Sequence, residues 1–229
     1  MTKKGKLSAS MMCAHLDKIF YYLAEFKRAN LEFLHIDIMD GEFVPNFALG
    51  TDYIKSLRRI TDIPFDFHFL TNDPLEKMSW FDIRENDQVA FHVEGNQDIE
   101  KCISYVERIG AKVFLALNPD TDFHVVEKYL NDIDGLLIMM ITPGFAGRRM
   151  LPFAIERFEQ IVDFVNKAGY GELELEVDGN ITIEHAKELY ERGATIFVAG
   201  SSSIFKSTEQ PVNDIVEKER SVIGWRDNS

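Results

Sequence analysis

Residues 35–41, HIDIMDG, set one histidine and two aspartates into a run whose other members, Phe33, Leu34, Ile36, Ile38 and Met39, read as a buried strand. Side chains alternate faces along a strand, so His35 and Asp37 share a face with Met39, while Ile36, Ile38 and Asp40 occupy the other. An unpaired charge in such a place is costly unless something compensates it. A divalent cation shared by an imidazole and a carboxylate is one such compensation. The same residue types recur in apolar runs downstream, with His68 in FDFHFL and Asp178 in LELEVDGN. Together His35, Asp37, His68 and Asp178 make a candidate site for one zinc, iron or manganese ion, with room for a substrate oxygen.

Those four residues meet only if their strands are brought together at one rim. Short apolar runs begin near residues 6, 33, 65, 88, 112, 135, 172 and 195. Between them lie amphipathic stretches such as LDKIFYYLAEFKRAN, DIEKCISYVERIGA, FAIERFEQIVDFVNKAG and TIEHAKELYERGA, with apolar residues at three- and four-residue spacing. Eight strand–helix units in a chain of this length predict a (β/α)8 TIM barrel, whose active site forms at the C-terminal strand ends. A doubly wound open sheet is the alternative, weakened by the count of eight and by the lack of a GxGxxG turn after the first strand. In a barrel, Ser10, His35 and Asp37, His68, His92 and Glu94, Asn118, and Asp178 lie at or near the ends of six strands. His92 has the blander expectation of a hydrogen-bonded core residue. His15, His124 and His185 fall in or beside helices and are expected at the surface, and Met11, Met12, Met139 and Met140 are expected to pack the core, some of them capping the substrate.

The chain has 229 residues, is 45% hydrophobic and has no evident internal break, so one barrel domain over 1–229 is expected. A net charge of −13 argues against a nucleic-acid surface. Two cysteines, Cys13 and Cys102, suggest neither a disulfide framework nor a structural zinc site. The basic start MTKKGK lacks the apolar core of a signal peptide behind it, and no run is long enough to span a bilayer. A cytoplasmic protein with small-molecule partners and no membrane association is expected, and we expect a homo-oligomer.

Glycine-rich turns follow the last three strands: TPGFAGRR at 142–149, DGN at 178–180 and AGSSSIF at 199–205. Backbone N–H groups can approach an anion there, and barrels commonly bind phosphate at the loops after strands seven and eight. Gly179, Gly200 and Ser201 fit that position. Taken singly, each glycine is an ordinary turn residue, so the signal lies in the convergence of three loops.

HIDIMDGEFVPN, DFHF, LALNPDT, ITPGFAG, LEVDGN and VAGSS, in this order and spacing, resemble the ribulose-phosphate 3-epimerase family. The likeness runs from Ser8 to about Phe205, and SASMMC and PGFAG resemble its D-allulose-6-phosphate epimerase branch. The resemblance implies a ribulose-phosphate-binding barrel, one divalent metal on His35, Asp37, His68 and Asp178, and a phosphorylated ketose as substrate. It implies that Asp37 and Asp178 are the two acid/base residues, and that Ser10 and His68 contact substrate. Gly144, Phe145, Ala146, Gly147, Gly179, Asn180, Gly200 and Ser201 would complete the site. Leu70, Val93, Arg148 and Asn180 depart from the usual family pattern, and none is an implied metal ligand. Epimerisation beside a ketone needs a proton removed on one face and returned on the other, and two aspartates on separate strands suit that need.

Two other readings stand beside this one. A decarboxylase on the same type of barrel would carry DxKxxD on the second strand, whereas the aligned positions here are His35, Asp37 and Asp40. A non-catalytic sugar-phosphate binder would leave both carboxylates and the metal ligands unexplained.

Overall fold

The computed structural model describes residues 3–95, 98–206 and 210–224. Its strands are β1 (Lys6–Ser10), β2 (Phe33–Asp40), β3 (Phe47–Ala48), β4 (Phe65–Leu70), β5 (Gln88–His92), β6 (Lys112–Leu117), β7 (Gly135–Met139), β8 (Glu174–Asp178) and β9 (Ile196–Ala199). All except β3 pair in parallel, and β1 pairs with both β2 and β9, which closes the expected eight-stranded barrel. The two-residue β3 is an addition: it folds back antiparallel on the end of β2.

The helices are α1 (Ile19–Arg28), α2 (Thr51–Ile60), α3 (Pro74–Met78), α4 (Ile99–Ile109), α5 (Ala154–Lys167), α6 (Ile183–Glu191) and α7 (Val212–Val222). Their ends follow local chemistry. Asp98 accepts a bond from the Lys101 N–H to cap α4, which stops where Gly110 turns left-handed, and Thr182 accepts from the His185 N–H to cap α6. Two crossovers are abbreviated: α3 has five residues, and after β6 the chain makes a 3-10 helix at Phe123–Tyr129. No helix among the described residues is long and apolar enough to cross a membrane.

Alternation along the strands separates two cores. Phe65, Phe67 and Phe69 of β4 face outward into the layer shared with the helices, as do Leu34, Ile36 and Ile38 of β2. Inside the barrel one half is apolar, built on Ala90, Phe114, Ala116, Leu137, Met139 and Ile196. Gly135 is part of that packing, because a Cβ there would stand 2.4 Å from the Phe114 ring. The other half is polar, with Ser8, His35, Asp66, His68, Gln88 and Glu176 all fully buried. Polar groups so placed require partners, and those partners lead directly to the site.

Candidate metal centre and substrate cleft

Strand register builds the cluster. Asp37 of β2 stands beside His68 of β4, and Asp178 ends β8 opposite Met139. Nε2 of His35 lies 3.3 Å from Oδ1 of Asp37, and Nδ1 of His68 lies 3.4 Å from the same oxygen. Oδ2 of Asp178 faces the same two nitrogens at 4.0 and 3.9 Å. One ligand atom from each of His35, Asp37, His68 and Asp178 falls within 4.8 Å of the other three. These are the four residues expected from the sequence, and the barrel brings them to one point.

The two imidazoles are aimed by groups behind them. His35 Nδ1 lies 2.6 Å from Asp66 Oδ2, which also accepts a bond from the Ser8 hydroxyl. Burial raises the Asp66 pKa, but the His35 interaction and bonds from Glu176 and Ser8 outweigh it and hold it at about 2. An ionised Asp66 only accepts, so the hydrogen of His35 sits on Nδ1. On the far side, His68 Nε2 lies 2.9 Å from His92 Nε2, and His92 Nδ1 lies 3.0 Å from Glu94 Oε2. His35 Nε2 and His68 Nδ1 are left buried with no hydrogen-bond partner among the described residues. Two orphaned imidazole nitrogens turned toward two carboxylates fit a divalent cation.

Electrostatics separates the two carboxylates. Burial works to raise Asp37, but the charge of the neighbouring His35 outweighs it and holds the acid well below the usual range. Asp178 has no such net support, and burial pushes it up to about 7. Burial lowers His35, yet Asp66 and Asp37 raise it well above its ordinary value, so a proton and a cation compete for its Nε2.

Above the cluster opens a cleft of about 520 Å³. Ser10, Asp37 and Asp178 form its polar floor, and the Ser10 hydroxyl donates to Asp37 Oδ2 at 3.2 Å. His35 and His68 lie beneath the floor, fully buried. Gly144, Phe145, Ala146 and Gly147 border one side of the cleft, and Gly179, Asn180, Gly200 and Ser201 border another. Gly179, at φ +117°, has no room for a side chain, since a Cβ would meet Ile141 at 2.6 Å. The loops are cross-tied: Asn46 Nδ2 donates to the Gly144 carbonyl at 2.7 Å, and Asn180 Nδ2 donates to the Ser202 hydroxyl at 2.7 Å. Met12, Met39, Leu70 and Met139 supply apolar lining, whereas Met11 and Met140 pack toward the helices.

The sequence reading left Glu176, Asp66 and Asn46 out of the site and gave His92 only a hydrogen-bonded core role. Glu176, whose pKa burial raises far above the carboxylate range, hydrogen-bonds Asp66 and accepts from Gln88 Nε2 at 2.9 Å. Its signal was the two-residue spacing of Glu174, Glu176 and Asp178, which places all three on the inner face. Asp66 lies two residues before His68 in FDFHFL, but its partner is His35. Asn46 was visible only as part of the FVPN string. His92 is the buried, hydrogen-bonded residue expected, yet its bond to His68 joins it to the cluster.

Fold and site together define a (β/α)8 barrel with a candidate metal centre under a cleft at one rim. Solved structures with this fold include 3-hexulose-6-phosphate synthase from Salmonella typhimurium (TM-score 0.65, 17% identity, 95% of this chain and 98% of that one). KGPDC from Streptococcus mutans is similar at TM-score 0.66 and 10% identity, over 97% of this chain and 100% of that one. At these identities the likeness concerns the fold alone. A profile of the ribulose-phosphate 3 epimerase family matches residues 6–205, and the chain belongs to that family. The ribulose-phosphate 3-epimerase of Chlamydia trachomatis is 32% identical over 88% of this chain and 87% of its own length. That of Bacillus subtilis is 29% identical, over 86% and 91%. The protein is accordingly an isomerase, a sugar-phosphate 3-epimerase.

Proposed function

We propose that the chain is a divalent-metal-dependent 3-epimerase that interconverts D-ribulose 5-phosphate and D-xylulose 5-phosphate by two-base proton transfer. The observation that carries this reading is the convergence of two carboxylates and two orphaned imidazole nitrogens on one point beneath the cleft. Asp37 and Asp178 enter from β2 and β8, which do not pair with each other. A ketose whose third carbon lies between them presents one face to each carboxylate. One removes the proton, and the other returns a proton to the opposite face. Their opposite pKa displacements suit a base and an acid in one turnover. His35, Asp37, His68 and Asp178 would hold a divalent cation, which would supply Lewis acidity at the ketone.

The apolar lining from Met12, Met39, Leu70 and Met139 keeps water from the reacting carbon, which strengthens these electrostatic effects. The backbone of the loops at Gly144–Gly147, Gly179–Asn180 and Gly200–Ser201 would receive the phosphate. Binding energy from that remote group would position the reacting carbon. A hexulose 6-phosphate pair such as D-allulose 6-phosphate and D-fructose 6-phosphate is the second reading, favoured by SASMMC, PGFAG and the departure at Leu70. We further propose that the enzyme is cytoplasmic, forms one barrel domain and assembles as a homo-oligomer.

The test is one panel. Protein purified without chelator is analysed for zinc, iron and manganese, then assayed on pentulose phosphates, hexulose phosphates and the unphosphorylated sugars. We expect about one equivalent of metal and a strong preference for phosphorylated ketoses. Comparable efficiency on free and phosphorylated sugar, or full activity in protein stripped of metal, overturns the reading.

A further inference from the structure

We infer that His92 and Glu94 are positioning residues that fix His68 in the tautomer whose Nδ1 lone pair faces the metal point. This rests on the metal reading above and deepens it. Glu94 is the outer end of the chain of contacts. Its Oε1 accepts from the Asn118 N–H at 2.8 Å and from the Thr121 hydroxyl, so the carboxylate is held in one orientation. Oε2 is left for His92 Nδ1 at 3.0 Å. An ionised carboxylate only accepts, so His92 carries its hydrogen on Nδ1 and its Nε2 is the lone pair. That lone pair lies 2.9 Å from His68 Nε2, which must therefore be the N–H. The one remaining nitrogen, His68 Nδ1, is then a bare lone pair 3.4 Å from Asp37 Oδ1, in the position of a ligand.

Reversing any link reverses every link after it. A neutral imidazole has one hydrogen, and two N–H groups or two lone pairs cannot face each other across 2.9 Å. Glu94 thus decides, two imidazoles away, whether the metal site has its second nitrogen ligand. Asp66 performs the same service for His35 by direct contact, so the two histidines are set by groups on the neighbouring strands β4 and β5.

Glu94→Gln tests this with an almost isosteric change. The Asn118 N–H still needs an acceptor, so the amide oxygen takes the Oε1 position and the NH2 group faces His92 Nδ1. His92 must then move its hydrogen to Nε2, and His68 must move its own to Nδ1, where it blocks the cation. The protein has six histidines, few enough to resolve by long-range 1H–15N correlation in metal-free, 15N-labelled protein at pH 8. We expect wild type to show His92 as the Nδ1–H form and His68 as the Nε2–H form, and Glu94→Gln to show both reversed. Cobalt(II) titration followed by its visible absorption should give an affinity about 10–100-fold weaker in the variant, with the metal-free melting temperature nearly unchanged. A wild-type spectrum with the His68 hydrogen on Nδ1 overturns the inference without need of the variant. Reversed tautomers with unchanged cobalt affinity overturn it as well. Failure of wild type to bind cobalt, zinc or manganese strikes instead at the metal reading on which it rests.

Discussion

Nδ1 of His35 lies 2.6 Å from Oδ2 of Asp66, deep in the barrel, and this contact turns the opposite ring nitrogen toward Asp37 and Asp178. Asp66→Ala removes the acceptor and leaves His35, Ser8 and Glu176 without it. Cation affinity, read by cobalt titration, should fall about 10–100-fold, as for other groups that orient metal-binding histidines. Folding stability should fall too, because the change breaks a buried polar network. Unchanged affinity in a folded variant would show that Asp66 does not aim the ring.

Gly135→Ala probes the apolar half of the interior. The added methyl would stand 2.4 Å from the Phe114 ring and 2.5 Å from the Glu174 carbonyl oxygen, and one of the two contacts is unyielding backbone. Overpacking of this kind costs about 1–3 kcal/mol. Denaturant unfolding should show that loss, and Phe114→Leu in the same chain should recover part of it. A neutral Gly135→Ala would mean the interior has slack that the packing does not suggest.

Glu219 of α7 links stability to pH. The side chain is buried, and burial pushes its pKa up to about 7, above the ordinary 4.5 of glutamate. The folded state therefore holds its proton more tightly than the unfolded chain. The stability this contributes is fully present below pH 4.5 and is lost as pH rises toward 7. Glu219→Gln keeps the shape and removes the titration, so it should stabilise the protein by roughly 2–3 kcal/mol at pH 8 and by little at pH 5. Melting curves at the two pH values decide it. An equal effect at both would assign the change to packing.

Much of this was legible in the chain because period-two patterning is strong where one face of a strand is polar. FDFHFL places Asp66 and His68 on one face and three phenylalanines on the other, and the structure keeps that division. The eight strands and the four metal-point residues follow from such runs. What the sequence does not display is contact between strands. The partnership of His35 with Asp66, and of His68 with His92, depends on register, which period-two patterning leaves undetermined. Glu176 was hidden for a related reason, since a buried neutral glutamate looks in sequence like any solvated one. The crossover at Phe123–Tyr129, where His124 is expected in or beside a helix, forms a 3-10 helix. The tie from Asn46 to the Gly144 carbonyl joins positions 98 residues apart, beyond the reach of any local rule.

Asp37 and Asp178 are proposed to serve opposite faces of one carbon, and isotope exchange by single-base variants reads this directly. Asp37→Asn and Asp178→Asn nearly preserve size, yet each removes a base, so epimerisation should fall by orders of magnitude. Each variant is incubated with both epimers deuterated at carbon 3, and deuterium loss is followed by NMR, with metal content measured on the same samples. Each metal-loaded variant should wash deuterium from one epimer without forming the other, and the two variants should choose different epimers. Exchange of the same epimer by both variants, or interconversion at near the wild-type rate by either with metal bound, would rule out the two-base assignment.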